Sequence, residues 1–340
     1  MTSLEILEFA KKLLAISSPT GYTKEVIAFY ENEVKALGYK TSHTNKGNLL
    51  VYVEGQSDHT KGMCAHVDTL GLMVRSIKAD GTLAFTLVGG PIVPTLDGEY
   101  CTIVTREGAH FSGTILSDSP AAHVFEDAKS VKRDDTTMHI RLDEVVKNKE
   151  DVEKLGIMPG DYICFDPKTT ITKSGFIKSR FLDDKLSVAI LYGFLKDLKE
   201  KKIKPQDNWI LIISTYEEVG HGSAYIPCEI EELIAVDMGC IGKDLTCSEY
   251  DVSICAKDSS GPYDYDMITK MVHLAKENKL GYAVDIYPFY GSDVSAALRG
   301  GMNIRGGLIG PGVSASHGME RSHKDAVENT LKLIEAYVQE

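Results

Sequence analysis

The sequence predicts a mixed α/β fold with a small, mostly β domain inserted into it. Three observations carry that reading. The first and last parts of the chain combine amphipathic helical segments with short, continuously apolar runs. Between about residues 70 and 165 the texture changes to β-type runs broken by turn signals. The 340 residues are also enough for about two domains. The expected division is residues 1–69 and 166–340 for the α/β part and residues 70–165 for the insertion.

The elements follow in order. MTSLEILEFAKKLLAI interrupts its apolar residues with charges at helical spacing. This predicts an amphipathic helix over about 3–16 and excludes a signal peptide. A second helix is expected over 23–38, after the breaker Ser-Ser-Pro-Thr-Gly at 17–21. Short strands are expected near 49–54 and 62–66. Within the insertion, Asp80-Gly81, Asp97-Gly98 and Pro159-Gly160-Asp161 mark turns. LDDKLSVAILYGFLKDLK has helical periodicity and opens on carboxylates, which suit a helix N-terminus. WILIISTY is apolar and β-branched, as in a strand buried on both faces, and ELIAVDMG is another. DYDMITKMVHLAKENK is helical and ends near Gly281, a cap. HKDAVENTLKLIEAYVQE is amphipathic and expected to pack on the sheet.

Composition narrows the function classes. Hydrophobic residues make up 43% and charged residues 25%, ordinary for a soluble globular protein. The net charge of -12 argues against a nucleic-acid binder or an anionic-membrane binder, since both need a basic face. No apolar run approaches a membrane-spanning length. The seven cysteines form no CxxC pair; odd in number and scattered, they read as reduced thiols of a cytoplasmic protein.

The strongest chemical feature is positional. Four runs each lead into a metal-competent residue. MCA precedes His66 and Asp68, and IISTY precedes Glu217 and Glu218. LIAV precedes Asp237, and GFIKSRFL precedes Asp183 and Asp184. Open α/β sheets bind ligands beyond the carboxyl ends of their strands, so one sheet edge is expected to gather all these groups. Each piece alone has a plainer explanation. An Asp at a helix start usually caps it, adjacent glutamates are usually solvated, and a single His is often a satisfied core residue. Successive strand residues face opposite ways, so Glu217 and Glu218 share a site only if the chain turns there; Val219-Gly220-His221-Gly222 permits that. Cys64 reads as packing. The C-terminal SASHGMERSH offers His317 and His323 as a further group, after a glycine-rich stretch expected to wrap the site as a loop. Mixed His and carboxylate ligands without thiolates suit Zn²⁺, Co²⁺ or Mn²⁺.

AHVDTLGLMV, FLDDKLSV, TYEEVG, AVDMG and SASHGMERSH, in this order, resemble the glutamyl and tetrahedral aminopeptidases, a family of two-metal metallopeptidases. The likeness covers essentially the whole chain. It implies a zinc-peptidase-like catalytic domain with the inserted β domain as an oligomer contact. It implies two divalent ions, Zn²⁺ or Co²⁺ foremost, with Asp183 bridging both. His66 and Asp237 would hold the first and Glu218 and His317 the second. Glu217 would be the general base, and Asp68 would orient His66. Asp184 stands where many relatives have asparagine. The His317-Gly-Met-Glu320 spacing is one residue shorter than their His-Ser-Pro-x-Glu.

Within that family, KDSSGPYDYDM and GPGVSASHGMERSH are most like the glutamyl aminopeptidases, which implies peptide substrates with N-terminal Glu or Asp. An acidic side chain needs a cation, and Lys257, Arg305 and Arg321 are the candidates, Lys257 first. The likeness further implies a homo-oligomer, a tetrahedral dodecamer enclosing its active sites. The competing expectations are a two-metal carboxypeptidase, an N-acyl-amino-acid deacylase, or a non-catalytic oligomeric binding protein.

Overall fold

The structure, a computed structural model, describes residues 1–340. The chain divides into two compact units, Met1–Thr69 with Lys168–Glu340, and Leu70–Pro167.

The first unit opens with α1 (Ser3–Leu14), α2 (Lys24–Ala36), β1 (Lys40–His43), β2 (Leu49–Val53) and β3 (Thr60–His66). Helix α1 begins where it does because Thr2 and Glu5 form a reciprocal capping box. Its stripe of Ile6, Leu7, Ala10, Leu13 and Leu14 is buried. The buried Lys185 ammonium closes its other end, donating to the carbonyls of Leu13 at 3.0 Å and Ile16 at 2.6 Å.

The second unit holds β4 (Gly71–Ile77), β5 (Leu83–Val88), β6 (Tyr100–Val104), β7 (His110–Ser117), β8 (Met138–Leu142), the short helix α3 (Lys149–Lys154) and β9 (Tyr162–Phe165). The strands close into a barrel of order β4-β5-β8-β7-β6-β9. Closure leaves no free edge.

The first unit resumes with β10 (Thr170–Ile171), β11 (Phe176–Ser179), α4 (Leu182–Glu200), β12 (Asn208–Ser214), β13 (Ile230–Val236), β14 (Gly239–Cys240), β15 (Val252–Asp258) and β16 (Gly261–Pro262). It ends with α5 (Tyr265–Glu277), β17 (Tyr282–Ile286), α6 (Asp293–Arg299), β18 (Arg305–Val313), β19 (Glu320–His323) and α7 (Lys324–Gln339). The main sheet runs β1-β2-β12-β3-β13-β18-β15-β16, with β14 beside β18 and β17 beside β15. Its centre, β12-β3-β13-β18, is parallel. Alternation along β12 separates the two faces. Trp209, Leu211 and Ile213 join the core under α1, α2, α4, α5 and α7, and Ile210 and Ile212 join Val294 and Ala297 of α6. No helix is long and apolar enough to cross a membrane.

Two local expectations are corrected. GGLIGPGV is the buried central strand β18, not a loop. Its glycines serve close packing. A Cβ on Gly310 would fall on the Asp237 backbone, and one on Gly312 on the Ser248 backbone. The irregular stretch starts only after it, at Ser314. GFIKSRFL is not a fourth strand of the main sheet. Its strand, β11, lies in a separate three-stranded sheet, β10-β11-β19.

Candidate active site

The parallel strands align their carboxyl ends. His66 closes β3 and stands in register with Ser214 at the end of β12; Asp237 follows β13 directly. After Ser214 the chain turns through a short 3₁₀ segment, Glu217–Val219, ended by Gly220 at φ 82°. That positive φ suits glycine, and the turn carries both glutamates to one place. Asp183 and Asp184 enter from the start of α4, where their backbone leaves helical geometry. His317 arrives at φ 63° from the loop before β19.

These groups converge. His66 Nε2 is 3.1 Å from Asp183 Oδ1 and 3.7 Å from Glu217 Oε2. His317 Nε2 is 3.6 Å from Asp183 Oδ2 and 3.7 Å from Glu218 Oε2. Donor atoms of His66, Asp183 and Glu218 lie within 4.8 Å of one another, and so do those of His66, Asp184 and Asp237. His66 Nδ1 is 2.9 Å from the Asp68 carbonyl, which can only accept, so Nδ1 carries a proton and Nε2 faces the cluster, where it would give up its own proton to ligate a cation. The orientation of His66 thus comes from the Asp68 backbone. The Asp68 carboxylate, its Oδ1 3.6 Å from His66 Nδ1, also braces the turn, accepting from Glu217 N at 3.2 Å, Glu218 N at 3.3 Å and Thr20 Oγ1 at 2.7 Å.

Burial makes this cluster electrostatically tense. Burial and neighbouring carboxylates push Glu217, Glu218 and Asp184 well above the usual carboxylate range. Burial, with Asp183 nearby, raises Asp237 to about 7. Asp183 is held low. Burial opposes this, but the His66 hydrogen bond and the charges of His66 and His317 outweigh it. Asp184 Oδ1 and Glu218 Oε1 are buried with no hydrogen-bond partner. Buried oxygens without partners are costly. A crowd of converging carboxylates and imidazoles with such orphaned atoms fits divalent cations, which satisfy both charge and lone pairs.

Asp183, Glu217, Glu218, Asp237 and His317 line a cavity of about 240 Å³, together with Gly220, Phe289, Tyr290, Gly291, Ser292 and Arg299. Larger surface grooves of about 690 and 700 Å³ lie by Trp209 and by Lys46, away from any metal-competent cluster.

The three cations expected to read substrate do not line this cavity. Arg305 starts β18, level with Glu232, with which it forms an ion pair. That is the far end of the parallel strands, roughly 15 Å from Asp237. Arg321 makes a two-point ion pair with Glu249, at 2.7 and 2.9 Å, over the Phe176 ring. Lys257 lies on β15 and donates to the Asp258 carbonyl at 2.9 Å. His323 caps α7, its Nδ1 accepting from Asp325 N and its Nε2 meeting the Ser174 carbonyl at 2.8 Å.

Sequence reasoning missed three residues. Glu320 is buried and accepts from Asp183 N at 3.1 Å and His317 N at 3.0 Å, so one carboxylate sets two site residues. Asp293, also buried, accepts from Ser214 Oγ and from Ser223 N, clamping both ends of the Glu217–Glu218 loop. Arg299 lines the cavity.

The model of the family described as M42 glutamyl aminopeptidase matches residues 47–333, a span that contains every group of this cluster. The chain belongs to the M42 family. It is 46% identical over 342 residues, covering 100% of this chain and 99% of the other, to a Bacillus subtilis (strain 168) protein named "Putative aminopeptidase YhfE". It is 24% identical over 220 residues to the glutamyl aminopeptidase of Lactococcus lactis subsp. cremoris (strain MG1363), covering 64% of this chain and 61% of that one. Its fold matches the solved structure titled PhTET1-12s, a dodecamer in the asymmetric unit. The TM-score is 0.85 at 25% identity, over 98% of this chain and 99% of that chain. As an M42 member the protein belongs among the aminopeptidases, hydrolases that act at peptide N-termini.

Proposed function

We propose that this M42 protein is a metal-dependent aminopeptidase that releases N-terminal residues, Glu and Asp foremost, from short peptides. The carrying observation is the buried His66–Asp183–Glu218 and His66–Asp184–Asp237 cluster at the cavity floor, with the Glu217 carboxylate beside it. Two divalent ions, Zn²⁺ or Co²⁺, would be held by His66 and Asp237 on one side, Glu218 and His317 on the other, and Asp183 between. When bound, they supply Lewis acidity and a lowered water pKa.

The chain's own residues then have distinct tasks. Glu217 takes a proton from the attacking water as the water oxygen bonds to the scissile carbonyl carbon. It returns that proton to the departing amide nitrogen as the C–N bond breaks. The acidic floor suits a protonated substrate α-amine, which restricts cleavage to the first bond. Asp68 and Asp293 hold the turn that carries Glu217.

The test is a panel of aminoacyl p-nitroanilides, with and without chelator, followed by Zn²⁺ or Co²⁺ re-addition. Metal-dependent release, strongest for Glu and Asp, supports the reading. Release strongest for Leu or Lys removes the substrate preference and keeps the reaction. Release of p-nitroaniline from N-acetylated substrates would instead favour an endopeptidase, and release of acetate from them a deacylase.

The dodecameric relative supports a homo-oligomer, and the barrel unit is the contact surface proposed for it. On that unit Tyr100, Val124 and Val145 are 68, 76 and 91% exposed, apolar surface that an interface would cover.

A further inference from the structure

We propose that Arg299 is the residue that binds the side-chain carboxylate of an acidic N-terminal residue in the substrate. The inference rests on the aminopeptidase reading and names the group that would select its substrate.

Arg299 is the one lysine or arginine lining the cavity that Asp183, Glu217, Glu218, Asp237 and His317 also line. In this acid-rich chain several arginines have carboxylate partners: Arg305 pairs with Glu232, Arg321 with Glu249 and Arg133 with Asp97. Arg299 forms no ion pair; its hydrogen-bond partner is Ser260 Oγ, 3.0 Å from Nη1. A guanidinium carries five N–H donors in a planar fork. One contact to a neutral hydroxyl orients it and leaves the remaining face for a two-point bond to a carboxylate.

The fold aims this group. Helix α6 starts at a Ser292–Ser295 capping box, and Asp293 in its first turn is tied to Ser214 and Ser223. The helix is thereby anchored to the loop that carries Glu217. Arg299 stands in its last turn. Side chains on a helix lean toward its N-terminus, here toward Ser292, which lines the same cavity. The cavity, about 240 Å³, has room for an amino-acid side chain. A residue seated with its amine and scissile carbonyl at the acidic floor would project its side chain within this space, and Arg299 is the cation there.

The test compares wild type with Arg299→Gln and Arg299→Glu on Glu, Asp, Gln, Leu and Lys p-nitroanilides. These probes have no free α-carboxylate, so discrimination between Glu and Gln reports the side chain alone. Arg299→Gln should lower the Glu-to-Gln ratio of kcat/KM by about 10- to 100-fold. Arg299→Glu should turn the preference toward Lys. A Glu-to-Gln ratio unchanged in both variants overturns the assignment while leaving the aminopeptidase reading intact. So does an effect confined to dipeptides with a free C-terminus, which would place a peptide α-carboxylate at Arg299 instead. Thermal-shift binding of L-glutamate against L-glutamine supplies a readout without turnover. If metal-loaded wild type releases no p-nitroaniline, the aminopeptidase reading fails; selective L-glutamate binding that Arg299→Gln removes still supports Arg299, and its absence overturns it.

Discussion

Glu217 stands apart from the carboxylates around it. It lines the cavity beside His66 and lies outside both metal-competent clusters, whereas Glu218, one residue on, belongs to one. Replacing Glu217 with Gln should therefore lower kcat by roughly 10²- to 10⁴-fold while metal content, read by elemental analysis, stays near that of wild type. Retained turnover would remove Glu217 as the base. Glu320 makes the opposite prediction. Both its oxygens accept backbone N–H groups, from Asp183 and His317. Glu320→Gln would set an NH₂ against one of those donors and loosen both residues. Metal affinity, measured by competition with a chromophoric chelator, should fall about 10- to 100-fold. The difference between these residues explains what the sequence disclosed. His66, Asp183, Glu218 and Asp237 end or follow apolar runs, so pattern exposes them. Glu320 serves backbone amides and Asp293 sits in a plain helix start, so neither carries a sequence signature. Arg299 looks like any basic residue at a helix end, and only the folding of α6 over the cavity distinguishes it.

Among the elements, β18 best shows how far pattern reading reaches. Runs rich in Ile, Leu and Val, such as β12 and β13, are legible because a strand buried on both faces needs them. β18 is equally buried but glycine-rich, so its composition imitates a loop. The cause is tertiary. Asp237 N donates to the Ile309 carbonyl at 2.9 Å, and the Asp237 backbone lies where a Gly310 side chain would be. Gly310→Ala should therefore cost about 1–3 kcal/mol of stability by overpacking, read from denaturant midpoints. It should also disturb Asp237, so metal affinity should fall with it. A variant of unchanged stability and metal content would show that β13 and β18 have room to separate. The β11 misreading has a similar origin. An apolar-ended segment leading into Asp183 matches the strand pattern, yet its partners are β10 and β19, and no local feature names a strand's neighbours.

For the whole molecule, the fold concentrates buried negative charge at one point. Asp68, Asp183, Asp184, Asp237, Asp293 and Glu320 are all buried, with Glu217 and Glu218 beside them. Like charges at this density oppose the compact state unless cations accompany them. Metal binding should then stabilise the native protein by about 2.7 kcal/mol per site at a hundredfold excess over Kd. Chelation should lower Tm, and Zn²⁺ or Co²⁺ should restore it; a Tm indifferent to chelator would show that the cluster does not rely on metal. The assembly prediction follows from the barrel unit. Its closed barrel has no strand edge to offer, so association there must use side chains such as the exposed Tyr100, Val124 and Val145. Light scattering should give a particle near twelve times the 37.3 kDa chain mass. Charged substitutions at these three positions should shift it to smaller species with metal content preserved. If the active sites face an enclosed chamber, those smaller species should gain access to larger, structured substrates that the intact assembly rejects, while turnover of a single-residue p-nitroanilide changes little. A wild-type monomer, or variants with unaltered mass, would remove the barrel from the interface and the chamber from the account of substrate size.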